Sequence, residues 1–360
     1  MHILHTESSN GWGGQEIRIL KESLGLIERG FKVSLAVVRG GKLVDYARRE
    51  GLEVFEIDFK RPSAIKAVWD LCKIIKLQKI DIVNTHSSLD AWLGAAAAKI
   101  MGKKVVRTRH LSTVIRGGLN AKLLYNHFAD FVVTTSSCII PMIQEKAHLP
   151  SHRIRCVPTG VAPFEVSEQE REKARKALGV KPDEILIGSV CVVRSWKGIQ
   201  DLIAAAKMLR HDKRLKWVVV GGGYIENFKP LVDEELPFIF TGHQNDPKLS
   251  LAALDIFTLL STAHEGISQA SLQAAVLKKP LITTSIGGLP EVCVDGTTGF
   301  VTPPSSPEKV MEAVLKLSND PELRKKMGHA AYRHVTQNFT FCQTLENMAD
   351  VFAAVLPLKK

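Results

Sequence analysis

No apolar run in this 360-residue chain approaches the roughly 20 residues needed to cross a bilayer; residues 91–100 come nearest and are too short. The opening Met1-His2-Ile3-Leu4-His5 reads as a strand, with neither a basic n-region nor an apolar h-region, so a cytoplasmic location is expected. Six cysteines (72, 138, 156, 191, 293 and 342) never form a C-x-x-C pair, which argues against a disulfide framework and a zinc site. Neither Asp-x-Asp nor His-Glu-x-x-His occurs, and no protein-held metal is expected. Internal repeats and low-complexity segments are also missing. The basic residues lack interleaved stacking aromatics, which speaks against a nucleic-acid partner.

What remains is an ordinary globular composition, 45% hydrophobic and 24% charged, in a chain long enough for two domains. The net charge of +11 is concentrated in residues 1–160, where 24 Lys and Arg face 14 Asp and Glu. The remainder is nearly balanced. An anionic partner for the first half follows, whether nucleic acid, a membrane surface or a phosphorylated substrate; a basic surface serving solubility alone is the plainer account.

Short apolar runs alternate with amphipathic stretches. Strands are expected at 2–5, 32–38, 53–57, 82–85, 104–108, 131–135 and 154–157, with helices between them, including 65–78, 91–101 and 119–128. The pattern restarts beyond 160, with strands at 185–193, 216–220, 238–241, 256–260, 280–284 and 299–301. Such alternation predicts α/β architecture: two Rossmann-like, doubly wound domains facing a central cleft, with ligands on βα loops at the carboxyl ends of the strands. The expected domains are 1–165, 166–337, and a last helical segment, 338–360, crossing back to the first.

Several βα loops carry chemistry. Gly13-Gly14-Gln15-Glu16 places two glycines at a helix entrance, where backbone N–H groups can meet a phosphate; a plain turn would also use them. Arg194-Ser195-Trp196-Lys197-Gly198 ends a strand with a planar fork and a point charge, suited to a diphosphate leaving group. Val220-Gly221-Gly222-Gly223 ends another strand. His86 and His110 each follow a strand and could bond a sugar hydroxyl or relay a proton. The basic stretch 99–122 could lie on an anionic surface or grip an acceptor phosphate. Most informative is His264-Glu265-Gly266-Ile267-Ser268-Gln269, which brings a carboxylate to a helix entrance, with Gln273 about 7.5 Å beyond Ser268 along the helix axis.

In order and spacing these motifs, with Val157-Pro158-Thr159-Gly160-Val161, Gly287-Gly288-Leu289-Pro290-Glu291 and Gly296-Thr297-Thr298-Gly299-Phe300, resemble glycosyltransferase family 4, the retaining GT-B enzymes. The resemblance implies a metal-independent transferase that moves a sugar from a nucleotide donor, a uridine diphosphate sugar being favoured, with no other cofactor. Arg194 and Lys197 would hold the diphosphate, and Gly13, Gly14 and Gly221 would approach it. Glu265 with Gly266, Ile267 and Ser268 would hold sugar hydroxyls and phosphate, and His110 would touch the donor. Retention by front-face attack, with the leaving phosphate helping to deprotonate the acceptor, is implied as well. The chain departs from the family at Thr159, where Asn is usual, and at Gln273, where the second of two glutamates usually receives the ribose hydroxyls. With the basic first half, the resemblance suggests a glycan or glycolipid acceptor, phosphorylated lipopolysaccharide core being the first choice, reached at the inner membrane face. A non-catalytic nucleotide-sugar binder and a transferase making a soluble glycoside are the alternatives.

Overall fold

Strands apolar along their whole length must be covered on both faces, and a parallel sheet flanked by helices provides that cover. The computed structural model describes residues 1–356 and divides the chain into two compact units. The first comprises Met1–Thr159 with the segment from Cys342 onward; the second is Gly160–Phe341.

In the first unit the strands are β1 (His2–Glu7), β2 (Lys32–Val38), β3 (Glu53–Ile57), β4 (Ile82–Thr85), β5 (Lys104–Arg109), β6 (Phe131–Thr134) and β7 (Ile154–Cys156). They form one sheet in the order β3-β2-β1-β4-β5-β6-β7, every pair parallel. The order reverses between β1 and β4. There the helix Ser88–Ile100 lies so close that a Cβ on Gly94 would come within 3.2 Å of Thr6 and Thr85 side-chain atoms. The last helix, Phe341–Val355, docks on this unit: Thr344 Oγ1 donates to the Pro158 carbonyl at 2.9 Å, and Phe352 meets His5 edge-on.

The second unit repeats the plan. Its strands are β8 (Ile185–Val190), β9 (Leu215–Val220), β10 (Phe238–Gly242), β11 (Ile256–Leu259), β12 (Leu281–Thr284) and β13 (Gly299–Thr302). Their order is β10-β9-β8-β11-β12-β13, again wholly parallel, with the reversal between β8 and β11. One core packs each sheet face; Phe257 and Leu272 lie in one and Trp217 and Ile203 in the other, all fully buried.

Three expectations need adjustment. The strand expected over 185–193 ends at Val190, because Cys191–Val193 turn toward β9 and join Gly223 only through an isolated bridge. The helix expected over 119–128 begins as an α-turn at Leu119–Ala121 and continues as a π-helix, Lys122–Phe128. The boundary placed at 165 falls earlier. Val161 N–H donates to the Phe339 carbonyl at 2.9 Å and Phe341 N–H to the Val161 carbonyl at 3.2 Å, which ties Val161 into the second unit.

Candidate active site

In an open parallel sheet, the strands that flank the reversal diverge at their carboxyl ends and leave a crevice there. In the second unit the crevice is bounded by the loop after β8, which carries Arg194 and Lys197, and the loop after β11, which carries Glu265. The two loops are pressed together. Gly198 has a left-handed φ of 67°, and a Cβ there would sit 1.9 Å from the Leu260 carbonyl oxygen. Gly221, after β9, is equally tight: a Cβ would fall 2.0 Å from the Cys191 carbonyl oxygen. Thr262 N–H donates to the Trp196 carbonyl at 2.8 Å, and Trp196 packs edge-on against His264.

This packing brings the expected residues together. Lys197 Nζ donates to Glu265 Oε1, a contact between two largely buried side chains. Ser261 Oγ donates to the same carboxylate oxygen at 2.6 Å. Arg194 is half-buried, its guanidinium 4.9 Å from the centre of the Tyr224 ring, which restricts the side chain without occupying its donors. Glu265, Gly266 and Ile267 are buried. The helix opens at Gln269 and runs to Val276; Ser268 is its N-cap, with Oγ accepting from Ser271 N–H at 3.3 Å. Glu265 thus precedes the cap, on a chain segment turned by His264 at φ 62°. Gln273 is half-buried on the helix, and its side-chain amide makes no hydrogen bond among the described residues.

The corresponding end of the first unit is also polar. The imidazoles of His5, His86 and His110 form a buried chain: His5 Nδ1 to His86 Nε2 at 2.8 Å, and His86 Nδ1 to His110 Nε2 at 2.8 Å. Burial, followed by the charge of Arg18, lowers the His5 pKa to about 3. Burial also holds His86 and His110 well below the usual histidine range, with neighbouring arginines and histidines adding to the effect. All three rings are therefore neutral, and each carries one N–H. Their two possible tautomeric orders leave His110 Nδ1 as a donor or as a lone pair.

Beside them, Asp90 accepts the backbone N–H groups of His86 and Ser87, both at 2.9 Å, and caps the helix Ser88–Ile100. Glu7 is pushed up to about 8 by burial, with the Asp90 charge as the next cause. Burial likewise raises Asp90.

Two sequence expectations change here. Gly13 N–H is bonded to Glu16 Oε2 at 2.8 Å, so only Gly14, exposed and with an unbonded N–H, fits the anion-binding expectation. The basic stretch 99–122 is not one open surface. Lys99 and Lys104 both pair with Asp130, Arg107 is buried, and Arg109 is bonded to Tyr125 and Thr113, leaving Lys103 half-buried and Arg116 and Lys122 exposed.

Sequence reasoning also passed over His5, Ser261 and Tyr224. His5 offered only its place in the first strand; the pairing of β1 with β4 is what sets it level with Asn84, two residues before His86. Ser261 and Tyr224 carry no such signal. Among the described residues no group of three His, Cys, Asp or Glu could hold a metal ion, and no helix is long and apolar enough to cross a membrane.

Two units of this topology, one with a cation–carboxylate pair at its reversal, define the class of two-domain Rossmann-like α/β proteins. The comparisons give the family. Residues 12–163 match the model for Glycosyltransferase Family 4, and residues 170–334 the model for Glycosyl transferases group 1. The capsular polysaccharide biosynthesis glycosyltransferase CapM of Staphylococcus aureus is 30% identical over 317 residues, 81% of this chain and 82% of that protein. This chain belongs to glycosyltransferase family 4 and has the GT-B fold. It is also 23% identical to the Escherichia coli UDP-Gal:alpha-D-GlcNAc-diphosphoundecaprenol alpha-1,3-galactosyltransferase, over 89% of each chain. In fold it is similar to Anabaena HepE in complex with UDP and glucose, with a TM-score of 0.87 at 19% identity over 98% of this chain and 100% of that one.

Proposed function

We propose that this glycosyltransferase moves a sugar, with retention of configuration, from a nucleotide donor to a cell-envelope glycan or glycolipid. The observation that carries the reading is the placing of Arg194, Lys197 and Glu265 on two interlocked loops at the reversal of the second sheet. There the diphosphate lies against Arg194 and Lys197, whose charges offset the negative charge that grows as the glycosidic bond breaks. This reading asks for no protein-held metal, since the basic pair takes that task. Glu265 and the backbone of Gly266, Ile267 and Ser268 take the sugar hydroxyls and phosphate, with Gly221 shaping the adjoining turn and Gln273 meeting the ribose.

Glu265 is engaged by Lys197 and Ser261, which suits it to orient and bind; it is poorly placed to attack the anomeric carbon. Retention then proceeds by front-face displacement, in which the acceptor hydroxyl gives its proton to the departing phosphate. In the first unit, Gly14 offers its open N–H to an anion and His110 offers Nδ1 to a sugar hydroxyl. A uridine diphosphate sugar is favoured as donor by two similar proteins, the E. coli galactosyltransferase that uses UDP-Gal and the HepE complex with UDP. CapM and the galactosyltransferase, by their names, serve capsule and a lipid-linked diphosphate, which favours an envelope acceptor and a cytoplasmic enzyme that visits the membrane.

Gln273 favours one competing reading. A site without the second carboxylate can bind a donor and not turn it over. Following UDP-sugar hydrolysis and then transfer to envelope glycolipids by NMR separates the two. Turnover with an axial donor anomer appearing as the same anomer in product supports transfer with retention. Affinity without hydrolysis or transfer would leave a binder, and an inverted product would remove the front-face scheme.

A further inference from the structure

The helix Ala64–Leu77 follows the edge strand β3 and packs against the helix Ser88–Ile100, with Cys72 Sγ donating to the Ala97 carbonyl at 3.8 Å. Ala67, Leu71 and Ile75 supply the buried stripe. An amphipathic helix of this kind should carry polar residues on its other face. Here Ile65 is 89% exposed, Trp69 56% and Leu77 77%. Between and around them stand Arg61, Lys66, Lys73, Lys76 and Lys79, all exposed, while Asp70 is the one carboxylate in residues 61–79. The Lys73 ammonium lies 3.3 Å from the centre of the Trp69 ring. A groove of about 420 Å³ carries the surface on from Lys73 and Leu77 to Val54 and Phe55 of the sheet edge.

We propose that this outer face is where the protein docks on an anionic lipid bilayer. Large apolar side chains left in water are costly unless something covers them, and a ring of lysines excludes most neutral protein surfaces. A bilayer interface satisfies both needs. Trp69 and Ile65 enter the headgroup boundary, Trp being favoured at that depth, while the lysine stems lie along apolar surface and their ammonium groups reach lipid phosphates. The surface lies outside the stretch 99–122, whose cations are mostly engaged within the fold. The proposal deepens the envelope-acceptor reading in naming the membrane surface, but vesicle binding is read without turnover, so either can fail alone.

The test is co-sedimentation of the full-length protein with phosphatidylcholine vesicles, with and without phosphatidylglycerol, at low and high salt. Binding is expected only with phosphatidylglycerol, and should weaken as salt rises. Ile65→Ser with Trp69→Ser should weaken it about ten-fold or more. Lys66→Glu, Lys73→Glu and Lys76→Glu together should weaken it on the order of a hundred-fold, at about five-fold per lysine. Unchanged thermal melts and UDP-sugar hydrolysis without vesicles would show these variants folded. The fluorescence blue shift on binding should vanish with Trp69→Phe. Failure of the parent protein to bind anionic vesicles would overturn the proposal, as would either multiple variant binding as the parent does.

Discussion

Lys197 and Glu265 stand 68 residues apart in sequence, and their contact is the firmest chemical link between the two loops at the reversal of the second sheet. Removing one partner leaves a largely buried charge uncompensated, so the cost exceeds the value of the contact itself. Lys197→Ala should lower kcat by roughly a hundred- to a thousand-fold, the range for losing one preorganised donor to a developing anion. Glu265→Gln should lower kcat/KM by a comparable factor. In a double-mutant cycle the pair should be strongly non-additive, because both act on one site. Gln273→Glu tests the departure at the ribose. A charged acceptor makes a hydrogen bond roughly twice as strong, and UDP should bind about three- to ten-fold more tightly by calorimetry. No gain would mean that Gln273 does not face the ribose. Arg194, Lys197 and Glu265 could be singled out as candidates because each follows a strand end within a few positions, where parallel sheets put ligands. Ser261 and Tyr224 were not, since a lone serine or tyrosine gains meaning only from what lies beside it in space.

Among the elements, the interlocked loops and the histidine chain carry the next tests. Gly198 cannot accept a side chain: the left-handed φ and the Leu260 carbonyl both oppose it. Gly198→Ala should destabilise the protein by at least about 2 kcal/mol in urea unfolding, and donor binding should weaken with it.

The histidine chain makes stability depend on pH. His5, His86 and His110 have folded pKa values below their ordinary value, so below about 6.5 the unfolded chain binds protons that the folded protein refuses. Their contribution is complete above that pH and is lost as pH falls, for His5 toward about 3. Glu7 and Asp90, raised in the fold, act in the opposite sense: the folded protein holds protons that the unfolded chain has released, so stability declines as pH rises, for Glu7 from 4.5 toward about 8. Three histidines outweigh the carboxyls in the acid range. The melting temperature should rise from about pH 5 to about pH 6.5 and then level or fall. His5→Phe with His86→Gln should flatten the acid limb; an unchanged limb would show that the chain is not neutral in the fold. Here the strand positions were readable and the chain was not, because the alignment of β1, β4 and β5 depends on strand order, which alternation alone does not give.

At the scale of the whole molecule, both units share one strand order up to the additional β7, and each carries its polar cluster at the reversal. Alternation of apolar runs gave thirteen strands and the restart beyond residue 160. The positive first half was visible too, but its meaning was not. Of the cations of 99–122, Lys99, Lys104 and Arg109 are held by Asp130, Tyr125 and Thr113, whereas those of Ala64–Leu77 stay outside. Sequence cannot separate the two, because both read as basic residues interleaved with apolar ones.

The central claim is that the second unit binds the nucleotide of a sugar donor through Lys197 and its loop partners. A thermal-shift titration with UDP-, GDP- and ADP-glucose, run with chelator on the parent protein and on Lys197→Ala, tests it most directly. A ligand bound only by the folded state raises the melting temperature, by about 2.7 kcal/mol of added stability at a hundred times its Kd. One base, uridine by this account, should stabilise the parent protein in the presence of chelator, and the shift should largely disappear in the variant. No shift with any of the three, or an equal shift in Lys197→Ala, would contradict the account.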